Sequence, residues 1–129
     1  MKAVVYSTKP YERPFLDAAN APGAGGVGLE LSYVEVRLSL STADLARGHD
    51  GVSLFVADDA SAPVLRALHG AGVRVIALRS AGFNHVDIPE AERLGLTVLR
   101  VPAYSPHAVA EHAVGLMLTL NRKFPRAYN

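Results

Sequence analysis

The chain has 129 residues, of which half are hydrophobic and 19% are charged, with a formal net charge of +1 at pH 7. This composition fits one globular domain with a hydrophobic core, and the near-neutral charge excludes a basic surface for nucleic acid. The chain has no cysteine, no apolar signal core at its N-terminus and no run long enough to span a membrane, so we expect a soluble cytoplasmic protein.

Short β-branched runs alternate with amphipathic stretches along the whole chain. In chain order, we predict a strand at residues 3–6, a helix at 12–20, a strand at 29–36, a short helix from Thr42 to near Gly48, a strand at 52–56, a helix from Ser61 to Gly70 or Gly72, a strand at 73–78, a helix at 88–94, a strand at 96–101 and a long helix at 106–124. Strands that alternate with helices form right-handed β-α-β units. We therefore predict one α/β domain over residues 1–129, built on a parallel sheet.

Residues 22–28 contain the spacing G-x-G-x-x-G, which is typical of a dinucleotide-binding loop, and Asp44 and Asp50 follow at a suitable distance for a ribose-binding acid. That loop must follow a strand and open a helix, so that the pyrophosphate meets a helix N-terminus. Here the glycines follow a predicted helix and lead into a predicted strand. We interpret them as a helix-to-strand connection and predict no cofactor site there.

Ligands of open parallel sheets bind beyond the carboxyl ends of the strands. Of the loops at that edge, residues 79–85 have the most suitable chemistry. Ala81 and Gly82 are small enough for a ligand to approach their backbone amides, and Arg79 adds a positive charge. The loop therefore suits a small carboxylate. Alternatively, it is a turn that requires glycine, with Arg79 paired to Asp87.

The remaining polar residues give weaker signals. His107 and His112 are five residues apart, which places them on different sides of a helix, so we predict no shared metal. His85 and Asp87 could form a catalytic base and its orienting acid, or serve as loop and capping residues. The acids at 58–59 could accept a phosphoryl group, but no acid pair after the first strand would hold magnesium.

Two segments resemble a known family. Residues 78–87 (LRSAGFNHVD) and 101–112 (VPAYSPHAVAEH) closely resemble the D-isomer-specific 2-hydroxyacid dehydrogenases, and within them the NAD-dependent D-lactate dehydrogenases. Residues 7–11 and 121–129 also look similar, so the resemblance covers essentially the whole chain. It implies a flavodoxin-like three-layer sandwich whose five-stranded parallel sheet has the order 2-1-3-4-5.

The resemblance also implies roles for four positions. The backbone amides of Ala81 and Gly82 would bind the substrate carboxylate, Phe55 would line the pocket, and Tyr104 would help to position substrate at an interdomain cleft. None of these supplies a proton or a hydride. The family's NAD-binding domain and its catalytic arginine, glutamate and histidine come after residue 129, so the resemblance implies no catalytic residue in this chain. It implies reduction of pyruvate to D-lactate with NADH by the complete enzyme.

The last predicted helix, at 106–124, leads into the NAD-binding domain in complete family members. Its apolar stripe comprises Val109, Ala113, Leu116, Met117 and Leu120. We predict that this helix packs on the sheet, either of its own chain or of a second copy in a swapped homodimer.

Two functions of other classes stay open at this point. A flavin- or phosphate-binding protein would use the hydroxyls of Ser7 and Thr8 after the first strand, although Pro10 removes an amide there. A non-catalytic interaction module would use the apolar C-terminal helix.

Overall fold

The computed structural model describes residues 1–129, apart from the side chain of Ala24. The strands are β1 (Lys2–Val5), β2 (Glu30–Tyr33), β3 (Gly51–Leu54), β4 (Val75–Leu78) and β5 (Thr97–Leu99). The α-helices are α1 (Arg13–Asn20), α2 (Ala62–Gly70), α3 (Ile88–Arg93), α4 (Pro106–Asn121) and α5 (Phe124–Tyr128), and short 3-10 helices occupy Pro22–Ala24 and Ala43–Ala46. The five strands form one parallel sheet in the order β2-β1-β3-β4-β5, which confirms the predicted fold.

The hydrophobic core lies on one face of this sheet. Because successive strand residues point to opposite faces, the parallel register aligns Val4, Val52 and Ile76 in a single row across β1, β3 and β4. These three side chains are at most 2% exposed. Leu65 and Leu68 of α2 belong to the same buried cluster. Each large aliphatic side chain buried in this way stabilises the fold by about 1.5–3 kcal/mol.

The other face of the sheet is only partly covered. Leu16 of α1 lies near Val5 and together they border an apolar cavity of about 530 Å³. Val75 and Leu99 line the same cavity from β4 and β5, and Leu99 is 53% exposed. Nothing in the described chain covers this half of the sheet as α2 covers the core face.

Four of the five predicted strands were longer than the observed ones, the first was shifted by one residue, and the short helix after Thr42 is a 3-10 helix at Ala43–Ala46. The third strand shows the physical cause. The Asp58 carboxylate accepts a hydrogen bond from the Phe55 amide at 2.6 Å, while the Asp58 amide donates to the Phe55 carbonyl at 3.0 Å. This closed turn takes Phe55 and Val56 out of the strand, so β3 ends at Leu54.

The long C-terminal helix differs from prediction in two ways. It ends at Asn121 rather than Phe124, because Lys123 adopts a left-handed conformation with φ 53° and Pro125 then lies in the first turn of α5. No described residue of α4 is buried, so the predicted packing on the sheet of its own chain is wrong. Within the described chain, this and every other helix is too short or too polar to cross a membrane.

Candidate functional site

A cleft of about 500 Å³ opens at the carboxyl ends of β3, β4 and β5. Its lining comes from the loops after these three strands: Phe55 and Val56, then Arg79, Ser80, Ala81 and Gly82, then Val101 and Tyr104. All four predicted site residues therefore lie around one space, although they come from three separate loops. Their roles toward a ligand stay predictions.

The turn at Ala81 and Gly82 lines the cleft and contains unpaired backbone donors. The Ser80 hydroxyl donates to the Gly82 carbonyl at 2.8 Å, and Arg100 Nη1 donates to the Ala81 carbonyl at 3.1 Å. Among the described residues, the amides of Ala81 and Gly82 donate to no protein acceptor. Adjacent unpaired amides are suited to binding an anion.

Position 82 does not require glycine, either for its backbone conformation or for lack of space. It does not have a positive φ, and a Cβ built on it would meet no atom within 4 Å. The alternative interpretation of this loop as a turn that needs glycine is therefore wrong. The absence of a side chain instead leaves the Gly82 amide accessible from the cleft.

Arg79 lines the cleft and is hydrogen-bonded to residues at the ends of β1 and β3. Its Nη2 donates to the Tyr6 carbonyl at 2.9 Å, and its Nη1 donates to the carbonyl and hydroxyl of Ser53 at 3.2 and 3.1 Å. Arg79 Nε lies 3.6 Å from a carboxylate oxygen of Glu12. The guanidinium carbon is 5.7 Å from the centroid of the Phe55 ring. Arg79 thus supports the Phe55 wall, and its charge is balanced by Glu12.

The expected pairing of Arg79 with Asp87 is not formed. The Asp87 carboxylate instead accepts from the Glu90 amide at 3.0 Å and caps the N-terminus of α3. His85 does not hydrogen-bond to Asp87 in the described chain, and its Nε2 is buried without a partner. Asp87 is therefore a capping residue, and the pair does not have the arrangement of a base and its orienting acid.

The phosphate-binding alternative finds no free donors after β1. The Ser7 hydroxyl donates to Asp58 at 2.7 Å and the Thr8 hydroxyl donates to the Val5 carbonyl at 2.7 Å. Both backbone amides donate to carbonyls of the segment after β2, and the two residues are at most 8% exposed. These groups are already satisfied within the fold, so they do not form a phosphate cradle.

The glycine-rich segment does not fit a dinucleotide. It follows the C-terminus of α1, contains the 3-10 helix Pro22–Ala24, and leads to β2. A Cβ built on Gly26 would lie 2.3 Å from the Asn20 carbonyl carbon, so this glycine allows close contact with the end of α1. The carbonyl end of a helix repels phosphate. In the part of the chain that the structure describes, no group of three histidine, aspartate or glutamate side chains could hold a metal ion either.

Two residues at this edge of the sheet have roles that were not predicted, since Asp58 was considered only as a phosphoryl acceptor. Asp58 is 2% exposed and joins the loops after β1, β2 and β3 through hydrogen bonds from Ser7, Leu38 and Phe55. Arg100 follows β5 and reaches the turn after β4. The sequence indicated both residues only by a charged side chain close to the carboxyl end of a strand.

Known proteins of one family match nearly the whole chain. The family model of the D-isomer specific 2-hydroxyacid dehydrogenase catalytic domain matches residues 3–124. The D-lactate dehydrogenase of Escherichia coli is 52% identical over 128 residues, which are 99% of this chain and 38% of that protein. A 2-hydroxyacid dehydrogenase homologue of Haemophilus influenzae is 48% identical, again over 99% of this chain and 38% of the relative.

Solved structures give the same result. The apo-structure of the Escherichia coli D-lactate dehydrogenase superimposes with a TM-score of 0.82 and 52% identity, over 99% of this chain and 39% of that one. The pyruvate reductase of Chlamydomonas reinhardtii gives a TM-score of 0.80 and 44% identity, over 99% of this chain and 37% of that one. The chain thus spans about 38% of the length of the curated relatives it matches. It belongs to the D-isomer specific 2-hydroxyacid dehydrogenase family, of which it represents a segment of the catalytic domain.

Proposed function

We propose that residues 1–129 bind a small 2-oxo or 2-hydroxy acid, pyruvate or D-lactate, as the substrate-binding part of an NAD-dependent D-lactate dehydrogenase. The observation that carries this proposal is the pair of unpaired amides at Ala81 and Gly82 on the wall of the cleft. The relatives named D-lactate dehydrogenase and pyruvate reductase support the choice of acid. The complete enzyme would act in the cytoplasm.

Each residue of the cleft has a task in this proposal. The amides of Ala81 and Gly82 donate hydrogen bonds to the substrate carboxylate, because backbone donors in a small, partly enclosed site bind an anion without loss of side-chain entropy. The Phe55 ring, 42% exposed, forms an apolar wall that excludes water. Tyr104, 76% exposed, has a free phenol that can close over the substrate. In the complete enzyme NAD supplies the hydride, and residues outside this chain hold it.

Titration of the isotope-labelled chain with pyruvate tests the site. We expect the amide resonances of Ala81 and Gly82 to shift, with a dissociation constant in the millimolar range. Gly82→Pro removes one donor and should weaken binding about tenfold or more, since a hydrogen bond to a charged group contributes about 1.5–3 kcal/mol. Gly82→Ala retains the amide and fits the open space beside it, so it serves as the matched control. Equal binding by both variants would refute the role of this amide.

The chain by itself should show no turnover, because the residues in the cleft bind and orient the acid but transfer neither hydride nor proton. The measurement is the oxidation of NADH in the presence of pyruvate and purified chain. Pyruvate-dependent oxidation of NADH above the rate in buffer would refute the proposal that this chain binds the acid without transferring hydride or proton.

We also propose that α4 seats in the open apolar cavity of a second copy, which gives a homodimer by exchange of this helix. Leu116, Met117 and Leu120 are 51%, 67% and 73% exposed in a single copy, while Val75 and Leu99 line the cavity. Apolar surface that is exposed to solvent favours association between chains. Light scattering should give the mass of a dimer, and Leu116→Gln with Met117→Gln should give a monomer. His112→Gln on the same helix is the control, and a monomeric parent chain would refute the exchange.

A further inference from the structure

Arg100 is the first residue after β5, and its side chain reaches the loop after β4; both loops line the cleft. Its Nη1 donates to the Ala81 carbonyl at 3.1 Å, in the loop after β4, and to the Pro102 carbonyl at 3.3 Å, in the loop after β5. The guanidinium carbon lies 5.3 Å from the centroid of the Phe83 ring, which limits its movement. Arg100 therefore helps to set the spacing between the amide donors and the segment that carries Tyr104, together with the Val101 amide, which donates to the Ser80 carbonyl at 3.2 Å.

The bond to Ala81 also determines where the Gly82 amide points. A peptide unit is planar, and in its trans form the carbonyl and the N–H of the following residue point in opposite directions. The Ala81 carbonyl and the Gly82 N–H belong to the same peptide unit. Because Arg100 holds the carbonyl on one side, the Gly82 N–H is directed to the other side. Rotation of this peptide would break the hydrogen bond to Arg100.

Arg100 differs from the other arginine beside the cleft in its charge balance. Arg79 has Glu12 within 3.6 Å, whereas Arg100 has no carboxylate within ion-pair distance among the described residues. Its donors go only to backbone carbonyls. A charged donor on a carbonyl polarises the peptide unit and makes its N–H a better donor to an anion.

We propose that Arg100 is a positioning residue for the substrate carboxylate: it orients and polarises the Ala81–Gly82 peptide and joins that peptide to its own loop at Pro102. Arg100 acts through this peptide and does not itself touch the substrate. The inference rests on the proposed function, since it assigns a task to Arg100 only if the Gly82 amide binds a carboxylate.

Three variants of the full chain test this role. Arg100→Met removes the charge and both hydrogen bonds, and Arg100→Lys retains the charge and one flexible donor group. Arg74→Met is the matched control, because Arg74 Nη1 also donates only to backbone carbonyls, those of His69 and Val73, at the opposite edge of the sheet. The two methionine variants change the net charge equally.

Pyruvate affinity is measured by amide shifts, together with the Gly82 ¹⁵N resonance of the free chain and the thermal midpoint. We expect Arg100→Met to weaken pyruvate binding about fivefold and Arg100→Lys to recover part of the loss, as one hydrogen bond contributes about 1 kcal/mol. Arg74→Met should bind as the parent chain does. The Gly82 ¹⁵N resonance should move in Arg100→Met and stay unchanged in Arg74→Met, because only the former loses the donor on the adjoining carbonyl.

The outcomes separate the two proposals. If the parent chain binds no pyruvate, the carboxylate site is refuted and the role of Arg100 with it. If the parent binds but Arg100→Met binds equally well, the site stands and the role of Arg100 is refuted. If Arg100→Met weakens binding while the Gly82 resonance stays in place, the arginine acts by charge alone and the peptide-orienting role is wrong. If Arg100→Met does not fold, Arg100→Lys decides: binding as tight as that of the parent with an unmoved Gly82 resonance would refute the orienting role, because the two fixed hydrogen bonds would then be dispensable.

Discussion

The buried carboxylate of Asp58 ties three loops together at the edge of the sheet that carries the cleft. Asp58 is 2% exposed and accepts hydrogen bonds from Ser7 Oγ at 2.7 Å, the Leu38 amide at 2.8 Å and the Phe55 amide at 2.6 Å. Asp58→Ala removes the acceptor from all three donors and leaves those of Ser7 and Leu38 buried. It is therefore the single polar substitution that we expect to destabilise this edge most.

The expected loss of stability in Asp58→Ala follows from the three hydrogen bonds. A hydrogen bond to a charged group contributes about 1.5–3 kcal/mol, which would give about 4.5–9 kcal/mol if nothing relaxed. Water that enters the space left by the carboxylate satisfies part of the lost bonding, so we expect Asp58→Ala to lower the free energy of unfolding by about 3–5 kcal/mol. Asp58→Asn retains one acceptor oxygen and should cost about 1.5–3 kcal/mol.

Urea unfolding followed by circular dichroism measures both variants, and Asp58→Asn remains informative if Asp58→Ala does not fold. Asp59→Ala is the neighbouring control, because Asp59 is exposed and accepts only from the Ser61 amide at 2.9 Å, at the start of α2. Loss of this exposed hydrogen bond ahead of α2 should cost about 1 kcal/mol or less. If Asp58→Ala and Asp59→Ala destabilise the chain equally, the three-donor arrangement does not stabilise the loops.

Two further predictions concern pH. Hydrogen bonds from Arg93, and then from Arg66, lower the pKa of Glu90 from its ordinary value of 4.5 to about 2. The contribution of Glu90 is therefore present above pH 4.5 and lost as the pH falls toward 2, and Glu90→Gln should unfold in urea with a weaker dependence on acid pH than the parent. Burial raises the pKa of Tyr6 from 10.0 to about 12, so its contribution is present below pH 10 and lost as the pH rises through 12. Between pH 10 and about pH 12, Tyr6→Phe should lose less unfolding free energy than the parent chain. Equal losses in the two proteins would contradict this prediction.

Much of the fold was predictable because secondary structure is repetitive. The period-two and helical patterns place all five strands and the helices between them, since each element must bury one face. The ends were less predictable because single contacts decide them. The turn between Phe55 and Asp58 ends β3, and the left-handed Lys123 ends the long C-terminal helix before Pro125 can. Such contacts leave no periodic pattern.

The sequence by itself determined the family, through residues 78–87 and 101–112, and the edge of the sheet where the candidate site lies. It also placed the glycine-rich segment between a helix and a strand, which was enough to reject a dinucleotide loop there. These conclusions depend on neighbours in the chain, whose chemistry and spacing are visible in the sequence.

Only the tertiary structure decided which charged side chains meet. Arg79 pairs with Glu12 rather than with the nearby Asp87. Asp58 accepts hydrogen bonds from three loops. Arg100 donates to the Ala81 carbonyl. The sheet order brings β1, β3, β4 and β5 side by side although long segments separate them in the chain. Partners across these strands depend on the register and on the path of each loop, which the one-dimensional pattern does not contain.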